Sequence, residues 1–282
     1  MRDLAGRTAI VTGASAGIGS HIARALANEQ VNVVLAARST EKLETLAKEL
    51  ASADGRAIAV PTDVTRVADL QELVARAAAE FGSIDVLVNN AGIETFSHYH
   101  ELDIADIQQT IEVNVTSALV LTRLVLPHML AARLGHIVNI SSTAGKVGPP
   151  FGAAYAASKA ALIAFTRSLR SEYRSQGVSA SVICPGFTHD GGMYERIKSE
   201  VGRETPWLVG STSTKAVTKA VLRAIKRDKP ELIVNDPPLR PLTILMEMIP
   251  SLGEWIAAKA STPYLRSLAS RRRTGGHEQS GH

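Results

Sequence analysis

A chain of 282 residues with 45% apolar side chains can bury a sizeable core as one large α/β domain or two small ones, and its 4% aromatic content beside abundant Ala, Val, Leu and Ile suits helices layered on a buried parallel sheet. The net charge of +4 owes part of its excess to Arg271-Arg272-Arg273, so a general nucleic-acid surface is not implied and no nucleic-acid partner is expected. The single cysteine, Cys184, excludes an intramolecular disulfide framework and points to a reducing, cytoplasmic setting.

The first residues, Met1 to Gly6, enter strand-like sequence at once and lack the charged-then-apolar layout of a signal peptide. No apolar run reaches the roughly 18 to 20 residues that span a bilayer, so a soluble protein is expected. Thr8 to Thr12 reads as a first buried strand, followed by Gly13-Ala-Ser-Ala-Gly-Ile-Gly19 and a helix from Ser20 to Asn28. Glycines between a strand and a helix let the backbone turn tightly and approach a ligand, and the helix N-terminus offers free N–H groups to a pyrophosphate. The spacing is Gly-x-x-x-Gly-x-Gly, which a loop that only needs to turn can also hold.

Val31 to Ala36 is the second strand, and a carboxylate for a ribose 2′-hydroxyl belongs near its end. That place holds Ala37, with Arg38 next, so a 2′-phosphate becomes the favoured partner and NADP is preferred over NAD; the alternative is a solvated arginine. Ser39 to Ala51 is helical, Ala57 to Val60 a third strand ending at Asp63-Val64, and Arg66 to Phe81 a helix closed by Gly82. Asp85 to Val88 is the fourth strand, running into Asn89-Asn90-Ala91-Gly92, whose amides can brace neighbouring turns while Ala91 and Gly92 leave room for a flat ligand. A long helix is expected from Asp103 to about Ala132, with Asn114 at an otherwise apolar position, where its amide must find backbone partners or hold a water.

His136 to Ile140 is a fifth strand, followed by the Gly/Pro-rich stretch Ser142 to Lys159 and a helix to Gly177. Tyr155 and Lys159 stand four apart, on one helical face. Bringing a tyrosine from near 10 to about 7 takes roughly 4 kcal/mol. A cation about 5 Å away at an effective dielectric near 20 supplies about 3 kcal/mol. On that reasoning Lys159 alone nearly makes the phenol labile, and an oxidised nicotinamide ring would supply the rest; the alternative is a packed tyrosine and a solvated lysine. Val178 to Ile183 is a sixth strand, Pro185-Gly186 opens a loop over 187–213 with Met193, Tyr194, Pro206, Trp207 and Leu208 as an expected lid, Thr214 to Asp228 is a helix, and Glu231 to Asn235 a seventh strand. Strands alternating with helices make a doubly wound, seven-stranded parallel sheet with helices on both faces in a single domain over residues 1–236.

Beyond Pro237, an apolar and interrupted helix is expected over 242–260 within an extension spanning 237–265. Its stripe of Leu245, Met248, Ile249, Leu252, Trp255 and Ile256 suits core or oligomer contact, a cover for a substrate mouth, or peripheral contact with a membrane. Residues 266–282 read as a basic, then polar, disordered tail. The eight histidines are scattered, and no metal site is expected.

Taken together, Thr12-Gly-Ala-Ser-Ala-Gly-Ile-Gly19, Asp63-Val64, Asn89-Asn-Ala-Gly92, Asn114, Ser142, Tyr155-x-x-x-Lys159 and Pro185-Gly186 resemble the short-chain dehydrogenase/reductase family over about Gly6 to Asn235. The resemblance implies a Rossmann fold and a nicotinamide-dependent alcohol/carbonyl oxidoreductase. It implies that Tyr155 is the general acid in reduction and base in the reverse, that Lys159 lowers its pKa and bonds the nicotinamide ribose, that Ser142 bonds the substrate oxygen, and that Asn114 holds a relay water. The implied cofactor contacts are Gly13, Ser15, Gly17, Ile18, Gly19, Arg38, Asp63, Val64, Asn90, Ala91, Gly92, Tyr155, Lys159, Pro185 and Gly186. The family places a threonine a few residues after the Pro-Gly pair, and this chain departs there with Phe187-Thr188-His189-Asp190-Gly191-Gly192, so either Thr188 substitutes or the loop runs differently. The expected cofactor is NADPH, with NAD as the other option. The expected substrate is a bulky apolar ketone or its secondary alcohol, for which Phe96, Val147, Phe151, Phe187, Met193 and Trp207 form an apolar pocket. A homodimer or homotetramer is expected. The alternatives are a catalytically silent nucleotide-binding sensor or scaffold, and a membrane-docked lipid reductase.

Overall fold

The computed structural model describes residues 1, 3–52, 56–190, 199, 202, 205–206 and 209–275. Near-continuous apolar runs form strands because a parallel sheet is covered on both faces. These are β1 (Thr8–Thr12), β2 (Asn32–Ala37), β3 (Ala57–Pro61), β4 (Val86–Asn89), β5 (Gly135–Ile140), β6 (Val178–Pro185) and, after two short strands described below, β9 (Glu231–Val234). They pair in the order β3-β2-β1-β4-β5-β6-β9, every neighbouring pair parallel, which is the seven-stranded sheet that the alternation predicts.

Side chains leave the sheet alternately. Val11, Val33 and Leu35 join α1 (Gly17–Asn28), α2 (Thr40–Ser52) and a later helix, Thr214–Arg227, on one face, through Ile22, Leu26, Leu43, Val217 and Val221. Ile10, Val34 and Leu87 meet α3 (Val67–Phe81), α5 (Ser117–Ala132) and α7 (Ala153–Tyr173) on the other, through Leu70, Leu73, Leu121, Val125 and Leu169. Strand order reverses between β1 and β4, and the crevice beyond the carboxyl ends of such strands is where open α/β sheets bind ligands.

Expectations are corrected at three places in the chain. The helix expected from Asp103 to about Ala132 is α4 (Ile104–Ile111), a π-helical turn (Glu112–Thr116) and α5, with Asn114 on the turn; a widened turn is where a side chain can leave the regular ladder. By length and composition this 29-residue stretch could cross a membrane, contrary to the sequence reading, yet Leu121, Val125 and Met129 seat it on the sheet as a layer helix. The loop 187–213 is not wholly irregular, because its ends pair in parallel as β7 (Phe187–His189) and β8 (Ser211–Ser213) before α8 (Thr214–Arg227). Its expected lid residues Met193, Tyr194, Trp207 and Leu208 lie outside the described residues.

The third correction concerns the C-terminus, where α9 (Arg240–Met248) and α10 (Pro250–Gly275) form a helical hairpin. Residues 266–275 are helical where a disordered tail was expected. Tyr264, Leu265, Leu268 and Ala269 share one face at helical spacing and are fully buried, which holds the last turns to the protein. Residues 276–282 lie outside the described residues.

One buried group ties stability to pH. The His136 ring on β5 meets the Ser181 hydroxyl at 2.8 Å, and Ser181 donates its own proton to the Lys229 carbonyl, so Nε2–H is the donor to Ser181. Burial pushes this imidazole down to about 4, while an unfolded histidine titrates near 6.5. The unfolded chain therefore takes up the proton first, and stability is lost as pH falls from about 6.5 towards 4. We expect His136 to account for about 2 kcal/mol of the stability lost between pH 7 and pH 5. In urea unfolding, His136→Gln should flatten that pH dependence by this amount, and an unchanged slope would exclude the histidine as its source.

Candidate active site

The turns after β1, β4, β5 and β6 converge on one cavity of about 300 Å³ at the carboxyl edge of the sheet. Its first wall is the glycine bend. Gly13 has φ +66°, and a Cβ at Gly19 would strike the Gly13 carbonyl and the Asn90 amide, so only glycine lets these turns close up. The bend is laced to β4 by Thr12, whose hydroxyl accepts the N–H groups of Asn90 and Ala91, each at 3.0 Å, while Asn90 Nδ2 donates to the Thr12 carbonyl at 2.9 Å. Asn89 turns inward instead and donates to Asn139 at 2.8 Å. The amides do brace the turns, and they do so beside an open wall: Gly13, Gly17, Ile18, Asn90, Ala91 and Gly92 line the cavity. Helix α1 begins there with no side-chain cap at Ala16, which leaves its first N–H groups to a phosphate.

Among the described residues, several expected contacts stand outside this cavity. Ser15 and Gly19 belong to the bend without lining it, Ala16 lining it in their place. Arg38 is exposed just past β2. Asp63 and Val64 follow β3, with the Asp63 carboxylate held by the Thr65 N–H at 3.0 Å and the Thr65 hydroxyl at 2.8 Å. Those two bonds, with Arg38 and Arg66 nearby, lower its pKa despite partial burial. Arg38 and Asp63 thus stand near each other past the carboxyl ends of β2 and β3, outside the cavity lining.

The second wall is the start of α7. Tyr155 and Lys159 are both buried, with Lys159 Nζ 5.7 Å from the centre of the Tyr155 ring. Lys159 donates to the Ile140 carbonyl at 3.1 Å, and Ser141 donates to the Lys159 carbonyl at 2.7 Å. The short helix α6 (Ala144–Val147) packs against α7 at Gly145, where a Cβ would lie 2.7 Å from the Lys159 carbonyl carbon. Asn114 accepts from Ile93 N–H at 2.8 Å and donates to Ile93 O at 2.8 Å and to Ser158 at 2.9 Å. It holds the strand end beside Gly92, whose added Cβ would lie 3.1 Å from Asn114 Oδ1 and 3.2 Å from Lys159 Nζ. Ser142 receives the Ala144 N–H at 3.1 Å, donates to the Pro185 carbonyl at 3.4 Å and lies beside the Tyr155 phenol, whose pKa it pulls down. The geometry therefore brings Ser142, Tyr155 and Lys159 to the cavity, with Asn114 directly behind Gly92.

Electrostatics correct the simple expectation for the phenol. Burial pushes Tyr155 up to about 12, the Ser142 hydrogen bond pulls it partly back, and the Glu94 carboxylate pushes it further up. Burial also brings Lys159 down to about 8. The estimate from one cation counts attraction and leaves out the cost of creating a phenolate away from water, and in this site that cost wins. The phenol stays protonated.

The third wall is apolar. Phe96, Val147, Pro149 and Phe187 line it together with Leu239, Leu242, Ala257, Ala260 and Ser261 of the C-terminal hairpin. Phe96 lies 5.7 Å from Tyr155 between ring centres, and Phe151 packs against the same cluster. Pro185, Gly186 and Thr188 close the floor, Thr188 donating to the Gly186 carbonyl at 3.0 Å. Met193 and Trp207 lie outside the described residues. Thr12, Ser141 and Ser158 were not singled out from sequence, and neither were the small hairpin residues; only the placement of Thr12 at the end of a strand was a usable signal.

Three comparisons bear on this site. The profile of a family described as short chain dehydrogenase matches residues 7–202. The chain is 44% identical over 247 residues to the ketoacyl reductase HetN of Nostoc sp., covering 87% of this chain and 85% of that one. It is 42% identical over 182 residues to cis-4-hydroxycyclohexanecarboxylate dehydrogenase of Sinomonas cyclohexanicum, covering 64% and 73%. A crystal structure of a metagenomic short-chain oxidoreductase in complex with NADP superposes with a TM-score of 0.70 at 33% identity, covering 82% of this chain and 98% of that one.

The Asn114 clamp is testable by stability. Asn114→Ala strands the Ile93 N–H and carbonyl, and each such loss costs about 1–3 kcal/mol. Urea denaturation should show a decrease in that range or above, and a decrease below about 0.5 kcal/mol would mean that Ile93 finds other partners.

Proposed function

As a member of the short-chain dehydrogenase family this chain is an NAD(P)-dependent oxidoreductase, and we propose that it reduces a bulky apolar ketone with NADPH, or oxidises the matching secondary alcohol, through Tyr155. The observation that carries the proposal is one juxtaposition. A protonated phenol, beside a serine hydroxyl and backed by an ammonium, opens onto a cavity whose far wall is apolar.

The glycine bend and the uncapped start of α1 suit a dinucleotide, as the bare backbone at Gly13, Gly17 and Gly92 leaves room for one. When bound, the nicotinamide supplies the hydride. Ser142 would then donate a hydrogen bond to the ketone oxygen and hold it beside the phenol. Tyr155 would give its proton to that oxygen as negative charge develops there, and solvent would refill it. A phenol that keeps its proton across the neutral range is in the form that donation to a ketone oxygen requires. Lys159, fixed on Ile140, stabilises the phenolate left behind.

Preference for NADPH rests on Arg38, exposed at the end of β2, and on the absence of a carboxylate at Ala37. The NADP-bound neighbour supports it. The names of the relatives describe a ketoacyl group and a ring alcohol, and a ketone/secondary alcohol pair is the chemistry they share. A bulky apolar substrate is inferred from Phe96, Val147, Phe187, Leu239 and Leu242. Assembly into a homodimer or homotetramer belongs to the same proposal.

Tyr155→Phe should lower turnover of any accepted ketone by roughly 10²- to 10⁴-fold while leaving NADPH affinity nearly unchanged; nucleotide binding without turnover in the wild-type protein would instead mark a silent sensor. Arg38→Asp should shift kcat/KM from NADPH towards NADH, and unchanged preference would remove Arg38 from the 2′-phosphate. Because the donor is a phenol pushed up to about 12, the reductive rate should stay level across the neutral range while the oxidative rate rises with pH, and parallel profiles would contradict a proton carried by Tyr155.

A further inference from the structure

The hairpin α9–α10 has two unlike faces. Its inner face roofs the cavity through Leu242, Ala257 and Ala260, and Tyr264 and Leu265 anchor it to Phe96 and Tyr155. Its outer corner is a tight turn, because a Cβ at Gly253 would lie 2.6 Å from Met246 Cα. On that corner Ile244, Met248, Ile249, Leu252 and Trp255 all stand in solvent, Met248 at 76% and Trp255 at 59% exposure. Large apolar side chains grouped so closely on one protruding turn are a patch, not scattered surface residues.

Charge indicates what covers it. Between residues 240 and 275 the basic side chains are Arg240, Lys259, Arg266 and Arg271 to Arg273, six against the acidic pair Glu247 and Glu254, an excess of four. That equals the chain's net charge of +4, so the remainder of the protein is neutral and the positive excess belongs to this hairpin. Arg240, Lys259 and Arg266 are exposed along the hairpin, Lys259 lies 4.8 Å over the Trp255 ring, and the two acidic residues, Glu247 and Glu254, are exposed on the corner itself. An apolar corner on a hairpin of net positive charge, with a lysine over its tryptophan, matches the interface of an anionic bilayer. A second copy of the chain would bring like charge against like, which disfavours self-pairing through this face.

We propose that the α9–α10 corner docks on an anionic lipid surface and thereby presents the roofed cavity to ketones dissolved in the membrane. The docking stands on the patch and its charge alone; the delivery of substrate rests on the ketone-reductase reading of the cavity.

The test uses the full chain with vesicles of phosphatidylcholine alone or mixed with phosphatidylglycerol. We expect sedimentation with the mixed vesicles, weakened by salt and by omission of the anionic lipid. The double variant M248E/W255E should bind the mixed vesicles about tenfold less. Its turnover of a small water-soluble ketone with NADPH should match the wild type, while its turnover of a long-chain ketone carried in the vesicles should fall in step with binding. Absence of wild-type sedimentation, or equal sedimentation of the variant, overturns the proposal. So does a self-association on gel filtration that the variant abolishes without any vesicle binding, since the face would then be a contact between copies. Vesicle binding with no ketone turned over supports the docking and rejects the catalytic reading, which keeps the two failures apart.

Discussion

Burying an ammonium beside a phenol is unfavourable unless the surrounding backbone holds the charge, and in this fold one strand end does so. Lys159 donates to the carbonyl of Ile140, the last residue of β5, and the next residue, Ser141, donates back to the carbonyl of Lys159. Those two bonds hold the first turns of α7 to the sheet edge at the level of the proposed chemistry. Gly145 allows α6 to press directly on the same turn, and Asn114 holds Ser158, the neighbour of Lys159, to the end of β4 through Ile93. The site is therefore supported by main chain from two adjacent strands and by the widened turn before α5.

The cost of that burial determines what the site does. A cation near the Tyr155 ring would favour a phenolate in water-like surroundings, but the cavity wall is apolar and Glu94 is close. The phenol is pushed up and the lysine down, so both groups resist the charge that the other would welcome. An additional positive charge brought into the cavity would tip the balance, and an oxidised nicotinamide carries one. The state of the pair is then linked to the redox state of the nucleotide: protonated and ready to donate beside the reduced form, more easily ionised beside the oxidised one.

Much of this was legible in the sequence because the fold reports itself through spacing. Tyr155 and Lys159 are four apart, and four residues make one helical face whatever the tertiary context. Gly13, Gly17 and Gly19 fall between an apolar strand and a helix, where only a turn can stand. What stayed hidden depends on contacts between segments remote in the chain. Thr12 is one more residue of a β-branched run until Asn90 and Ala91 bond to it, 78 and 79 residues away. Ala257 and Ala260 read as ordinary helix formers, and their role as a roof follows from Tyr264 and Leu265 docking on the aromatic cluster. The helical 266–275 segment was misread because its serines and arginines mask a buried face of Leu268 and Ala269. The direction of the Tyr155 shift could not be read locally either, since burial is a property of the assembled walls.

The most direct measurement is an ultraviolet difference titration of tyrosinate, wild type against Tyr155→Phe, with and without NADP⁺. Four of the five tyrosines are common to both proteins, so the difference isolates Tyr155. The account predicts an ionisation pushed up to about 12 in the free protein and drawn down towards neutrality when the oxidised nucleotide is present. A Tyr155 signal that does not move on adding NADP⁺ would contradict it.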